Sequence, residues 1–239
     1  CSTDKTREIC QEYALMHSEI SLLPSETNLG MIPNFIRTIQ ACNGKYIAFC
    51  EGDDYWIDPD KIQKQVEFLE SNSDYGMVHT GFKWFFSKSN TEQIRNRDVP
   101  SGDFYEDFLV KSHIGTLTAI TRKRLISDYL NTCGQYINSW IIGDRPLWLY
   151  ITSISKVKYL SDLTAIYRRH GQSVTNFSTV TDELKFFKES YRIRFFFMEN
   201  VKKPSKETRL KVCENYYRGL LEYNSLIYME LIEQIKQTA

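Results

Sequence analysis

KYIAFCEGDDYWIDP, residues 45–59, runs a short stretch of strand-forming residues into three acids within four positions. Tyr46 to Cys50 has the aromatic and β-branched character of a strand, and Glu51, Asp53 and Asp54 follow at its carboxyl end. Tyr55 and Trp56 come next, and Pro59 marks a restart. In an open α/β sheet, ligands bind outside the carboxyl ends of the strands, so acids delivered there stand where a substrate or metal would. Hard divalent cations take oxygen ligands, commonly one or two carboxylates completed by substrate phosphates. A solvated acidic turn is the other reading, because Asp is also a favoured turn and cap residue.

Working outward, Asp58, Pro59 and Asp60 open KIQKQVEFLE, in which Ile62, Val66 and Leu69, with Gln65 and Phe68 beside them, trace an amphipathic helix. The order is therefore strand, acidic loop, helix. CEGDDYW followed by DPDKIQKQVEFLE resembles the metal and nucleotide-sugar motif of family 2 glycosyltransferases, with Glu51 in place of the more usual first Asp. That resemblance implies an α/β fold of GT-A type, a Rossmann-like nucleotide-diphospho-sugar transferase sheet flanked by helices. It also implies a divalent cation, Mn or Mg, held by Asp53 with Glu51 and His170, and a donor positioned by Asp54.

Two further elements match in family order. In SWIIGDRPLWLYITS, Gly143-Asp144 resembles the loop-to-helix acid that takes the proton from the acceptor hydroxyl; a plain helix N-cap is the other reading of Asp144. YRRHGQS resembles the family's Tyr-Arg-x-His element, which makes Arg168 and Arg169 donor diphosphate contacts and His170 a metal ligand. Asn28, in TNLG, matches the loop near the donor diphosphate, and Arg37 is carried over as a phosphate contact, with a surface arginine as the alternative. Cys1 to Asp4 match the tail of the family's first acidic motif. On that reading the fold is N-terminally incomplete, lacking the strand, helix and strand that precede the motif. Thr116 and Thr118 lie in a region that forms a pocket wall in similar enzymes, although ordinary strand threonines fit equally.

Along the rest of the chain the patterns predict a helix from REICQEYALM, a short strand at 19–23 and a helix through Ile32, Phe35, Ile36 and Ile39. YGMVHTGFKWFF reads as a strand with His79 in the core, and 87–102 as a polar surface excursion. FYEDFLVKS reads as a short helix and IGTLTAITRK as a strand running into a further helix. Residues 156–160 and 163–168 read as two strands. From Asp182 the pattern is helical, broken at Lys202-Lys203-Pro204, giving an expected division into a transferase domain, 1–181, and a C-terminal helical region, 182–239. The aromatic stripe through Phe186, Phe187, Tyr191 and Phe195 to Phe197 fits burial against its own domain, with a membrane or partner face as the alternative.

Composition bounds the function classes. Hydrophobic residues make up 42% of the 239 and the formal net charge is zero, which gives no nucleic-acid footprint. No apolar run approaches a membrane span, and the six cysteines are scattered without CxxC pairing, as in a reducing cytoplasm. The resemblance implies inverting transfer of a sugar from a nucleotide-sugar donor, a UDP-sugar, to a glycan or lipid-linked hydroxyl acceptor. The implied setting is bacterial surface polysaccharide synthesis at the inner face of the cytoplasmic membrane, with peripheral membrane association. A catalytically incompetent sugar-nucleotide or partner-binding fragment is the competing expectation. A two-metal phosphohydrolase would need a second acid cluster, which the chain lacks.

Overall fold

The computed structural model describes residues 1–23, 26–95, 99–171, 173 and 176–238. The chain divides into two compact units, Cys1–Asn43 and Gly44–Ala239. The first holds helices α1 (Thr6–Met16) and α2 (Met31–Ala41). The short strand expected at 19–23 does not form; with no strand alongside, Leu22 and Leu23 lie exposed in a loop. Ser25, at the head of the expected SETNLG loop, lies outside the described residues.

The second unit is built on a mixed sheet of six strands: β1 (Tyr46–Ala48), β2 (Tyr55–Trp56), β3 (Tyr75–Phe86), β4 (Thr91–Arg95), β5 (Ile120–Arg122) and β6 (Lys156–Arg169). Their order is β1-β5-β3-β6-β2, with β4 pairing the far half of β3. Only β3 and β6 run parallel among the described pairs, and a long crossover joins them, as parallel neighbours require. That crossover contains α4 (Tyr105–Val110), the 3₁₀ turn η1 (Thr116–Thr118), α5 (Lys123–Ile137) and α6 (Asp144–Ile154). α3 (Lys61–Ser71) follows the acidic loop, and α7 (Val180–Asn200) and α8 (Lys206–Thr238) end the chain, separated where Lys202-Lys203-Pro204 predicts a break.

Several elements depart from their sequence patterns. β1 stops at Ala48, although Phe49 N still donates to Ala119 O at 3.3 Å. The polar excursion at 87–102 folds back as β4, zipped to β3 from Phe82↔Arg95 to Phe86↔Thr91; residues 96–98 lie outside the described residues. IGTLTAITRK makes η1 before its strand, because Gly115 carries the chain against the Phe82 ring and Thr118 Oγ1 donates back to Gly115 O at 2.6 Å. The two strands predicted around 161–162 are one, β6, with an irregularity where Thr80↔Leu160 gives way to Gly81↔Leu163.

α3 turns a different edge inward from the one its apolar pattern suggests. Lys61, Gln65 and Leu69 are buried and Ile62 is 38% exposed. Polar burial is tolerated here because every group finds a partner. Gln65 Nε2 donates to Val78 O and Thr118 O, both at 2.9 Å, and its Oε1 accepts from Lys61 Nζ at 2.8 Å. Lys61 Nζ also lies 4.6 Å from the centre of the Trp56 ring, and burial lowers its pKa to about 8.

α6 is buried continuously from Pro146 to Ser153, so it forms the centre of the helical layer, with α4, α5 and α7 around it. α7 is tied to the same unit by Arg194, whose Nε donates to Leu109 O at 2.7 Å. The aromatic stripe packs internally: Phe187 meets Tyr191, Tyr216 and Tyr223 at 4.8, 6.0 and 5.2 Å, and Phe196 meets Tyr136 at 4.7 Å. A side chain at Gly219 would collide with the Phe187 ring, so this glycine sets the close approach of α8 to α7.

His79 occupies the middle of β3 with no exposed surface, between Tyr159 at 5.1 Å and Phe104 at 6.1 Å. Neither ring nitrogen has a hydrogen-bond partner among the described residues. Burial, with a small contribution from His113, depresses its pKa to about 3 from an ordinary 6.5. The unfolded chain therefore takes up a proton near pH 6.5 that the folded chain refuses, so stability is full above pH 6.5 and declines as pH falls toward 3. At pH 4.5 the loss is on the order of 2–3 kcal/mol. His79→Phe is expected to move the midpoint of acid unfolding, followed by circular dichroism, to lower pH; an unchanged midpoint would refute this.

Candidate active site

In the second unit the turn after β1 is closed by Asp54 N donating to Glu51 O at 3.0 Å, so the three acids share one tight bend. Asp54 is 9% exposed, and its Oδ1 accepts from Arg168 N at 2.8 Å. Burial raises its pKa to about 6, with the Arg168 hydrogen bond opposing the rise. Arg168 Nε also donates to Asp53 O, so the end of β6 grips the acid loop through backbone and side chain together. Asp53 Oδ2 faces His170 Nε2 at 3.1 Å. The His170 backbone is braced by Ser173, whose Oγ accepts from His170 N at 3.1 Å.

Asp144 begins α6, immediately after Gly143. Its Oδ2 accepts from Thr116 Oγ1 at 2.6 Å. η1 is in turn held from the acid-loop side, where Trp56 Nε1 donates to Leu117 O at 2.8 Å and Gln65 Nε2 to Thr118 O at 2.9 Å. Glu51 is coupled electrostatically to Asp144 as well as to Asp53 and Asp54. Its carboxyl is drawn up to about 7, mainly by desolvation and further by the charges of Asp54, Asp144 and Asp53, although the residue as a whole is exposed.

The structure thus brings Asp53, Asp54, Arg168 and His170 together, with Glu51 linking them electrostatically to Asp144. Arg169 is not part of this group. Successive strand residues point to opposite faces, so Arg169 leaves on the other side of β6 and lies 5.3 Å from the centre of the Trp84 ring. Among the described residues no three His, Cys, Asp or Glu side chains gather closely enough to hold an ion alone. The Asp53–His170 pair is chemically suited to manganese or magnesium as a two-ligand contribution, since such ions keep water and phosphate oxygens in the remaining positions.

In the first unit Asn28 Oδ1 accepts from Gly30 N at 2.9 Å, and Gly30, at φ 79°, turns the chain into α2. Arg37 Nη2 donates to Leu23 O at 3.3 Å and to Asn34 Oδ1 at 3.1 Å. Both residues line a cleft of about 730 Å³ that Ser2, Arg7, Cys10 and Asn34 also border.

The link from Thr116 to Asp144 and the clamps by Trp56 and Gln65 on η1 had no signal in sequence. Twenty-eight residues separate the threonine from its acid, and a strand threonine looks the same as a hydrogen-bond donor to a distant loop.

A mixed sheet with acids at the carboxyl end of β1, a second acid heading a buried helix and a histidine closing β6 is the architecture of a GT-A sugar-nucleotide fold. The family model for glycosyl transferase family 2 matches residues 1–130, and the chain belongs to that family. TuaG of Bacillus subtilis, a glycosyltransferase named for teichuronic acid biosynthesis, is 32% identical over 177 residues, covering 74% of this chain and 67% of TuaG. An uncharacterized protein of Mycobacterium tuberculosis strain H37Rv is 27% identical over 192 residues, covering 78% of this chain and 52% of that protein. The crystal structure of Staphylococcus aureus TarS 1-349 in complex with UDP-GlcNAc superposes with a TM-score of 0.61 at 15% identity, over 90% of this chain and 60% of TarS. The chain spans about half the length of the first curated relatives it matches. No helix among the described residues is long and apolar enough to cross a membrane.

Proposed function

We propose that this chain carries the catalytic part of an inverting glycosyltransferase, which moves a sugar from a UDP-linked donor to a hydroxyl of a glycan or lipid-linked acceptor. The observation that carries the reading is Asp144, held by Thr116 at the head of α6 and linked through η1 to the loop of Asp53 and Asp54. Direct displacement needs one general base on the face of the sugar opposite the leaving diphosphate. In that role the Asp144 carboxylate takes the acceptor hydroxyl proton while the acceptor oxygen bonds to the anomeric carbon. The bond from that carbon to the diphosphate oxygen breaks, and the diphosphate leaves with the electron pair.

Asp53 and His170 are the residues that would hold a divalent ion, with Glu51 nearby. Such an ion supplies charge neutralisation for the leaving diphosphate. Arg168 keeps the acid loop in shape through Asp53 and Asp54 and adds positive charge to the donor side. Asn28 and Arg37 are assigned to the donor diphosphate, Asn28 through its loop and Arg37 as a phosphate contact. Residues 1–181 are assigned to transfer and 182–239 to the supporting helices. Synthesis of a bacterial surface polysaccharide at the cytoplasmic face of the membrane is the setting we assign, supported by the name of TuaG; the UDP assignment is supported by the ligand in TarS.

Calorimetric titration with UDP, GDP and dTDP, each with and without manganese, tests the reading. UDP is expected to bind in preference to the others and more tightly with manganese. A folded chain that binds no nucleotide under either condition would overturn it.

A further inference from the structure

One face of the ribbon formed by β3, β4 and β6 leads away from Asp144. Paired residues share a face, so Phe82, Trp84 and Phe86 of β3 lie on the same side as Ala165, Tyr167 and Arg169 of β6 and Arg95 of β4. At its inner end Phe82, Leu117 and Ala165 form a buried cluster, with Trp84 and Tyr167 packed against it. Leu117 is the neighbour of Thr116, which holds Asp144. The inner end of the face is therefore one residue along the chain from the threonine that holds the proposed base, and Tyr167 and Trp84 continue it outward.

At Trp84 two guanidinium groups meet one indole: that of Arg95 lies 3.7 Å from the ring centre and that of Arg169 lies 5.3 Å away. Neither side chain has a hydrogen bond or ion pair among the described residues. The nearby acid Glu92 is on the opposite face, paired with Lys83 at 2.9 Å. Two like charges on one ring repel each other, and among the described residues no acid on this face of the ribbon offsets them. A guanidinium that stacks uses its flat face and leaves its N–H edge available, in the fork geometry that fits a carboxylate with two hydrogen bonds.

We propose that Arg95, Trp84 and Arg169 form an acceptor-side subsite for an acidic glycan whose uronate carboxylates meet the two guanidinium edges. The proposal rests on the glycosyltransferase reading and names its acceptor class. A glycan is the occupant because the inner end of the face is built on Leu117, next in the chain to the threonine that holds the base proposed to act on a hydroxyl, and the charge the face lacks is negative.

The test is calorimetric titration of the full chain at low salt with octagalacturonate, alongside maltooctaose, an eight-residue oligothymidylate and phosphatidylglycerol vesicles. Octagalacturonate is expected to bind at least about tenfold more tightly than the others, and its affinity is expected to fall as salt rises. Arg95→Ala, at an exposed position, is expected to weaken it about fivefold or more; Arg95→Lys, which keeps charge but loses the stacked fork, is expected to recover only part. Trp84→Leu, checked for folding by circular dichroism, is expected to weaken binding likewise. Equal binding of the oligothymidylate or the vesicles, or unchanged affinity in Arg95→Ala, would overturn the proposal. UDP titration of the same variants separates the two ideas. Normal UDP binding with no octagalacturonate binding removes the subsite alone, whereas the reverse pattern removes the glycosyltransferase reading and leaves an acidic-glycan site.

Discussion

Asp144→Asn is expected to lower sugar transfer about a thousandfold while UDP binding stays within about twofold of the unmodified chain. The amide keeps the size of the carboxylate and can still accept from Thr116 Oγ1, so the head of α6 stays in place. It cannot take a proton at neutral pH. If Asp144 only places negative charge in the first turn of α6, where Gly143 is the cap, the variant would lose a fraction of helix stability and keep its turnover. The measurement is turnover with a UDP-sugar and acceptor, beside a UDP titration. Thr116→Val sharpens the result. It removes the hydroxyl that donates to the carboxylate, leaves UDP binding alone, and is expected to cost turnover about tenfold, with Thr116→Ser restoring most of it. Retained turnover in Asp144→Asn would end the assignment.

The second large effect is expected at Asp53. Asp53→Ala should remove most of the manganese-dependent gain in UDP affinity, about tenfold or more, and leave the weaker metal-free binding nearly unchanged. Asp53 Oδ2 is paired with His170 Nε2, so its loss takes one ligand and a partner that orients the other. Its backbone carbonyl, which Arg168 holds, survives the substitution, so the loop retains that anchor. The contrast with Asp144→Asn is the informative part. One variant is expected to bind and not turn over, the other to fail at metal-assisted binding. If both lose UDP binding equally, the division of labour between the two acids is wrong.

Much of this was readable from local pattern. EGDDYW declared itself because a strand, a run of acids and a restart at Pro59 are contiguous, and the same holds for Gly143-Asp144 before α6 and for the end of β6. What escaped is non-local. β4 looked like a surface loop because its five residues are all exposed and polar enough to pass for one; only pairing with β3 makes it a strand. Ile62 looked like a core residue and Lys61 a surface one, because periodicity weighs hydrophobicity and cannot foresee that Gln65 will satisfy the lysine. Arg168 and Arg169 looked interchangeable, since nothing in two adjacent arginines says which one will face the acids.

That last distinction is settled upstream of both. Between the pairs His79↔Tyr159 and Trp84↔Tyr167, β6 advances eight residues while β3 advances five. The surplus is odd, so the parity of β6 is inverted across the irregularity near Gly81. Each residue after it points to the side it would not have reached in an unbroken strand. A single-residue insertion or deletion within 161–164 would exchange Arg168 for Arg169 and send the guanidinium that holds Asp53 to the indole of Trp84. A change of two residues would leave the assignment intact. Lineages of this sequence should therefore tolerate length variation there in steps of two, and engineers who shorten the segment should count by the same rule.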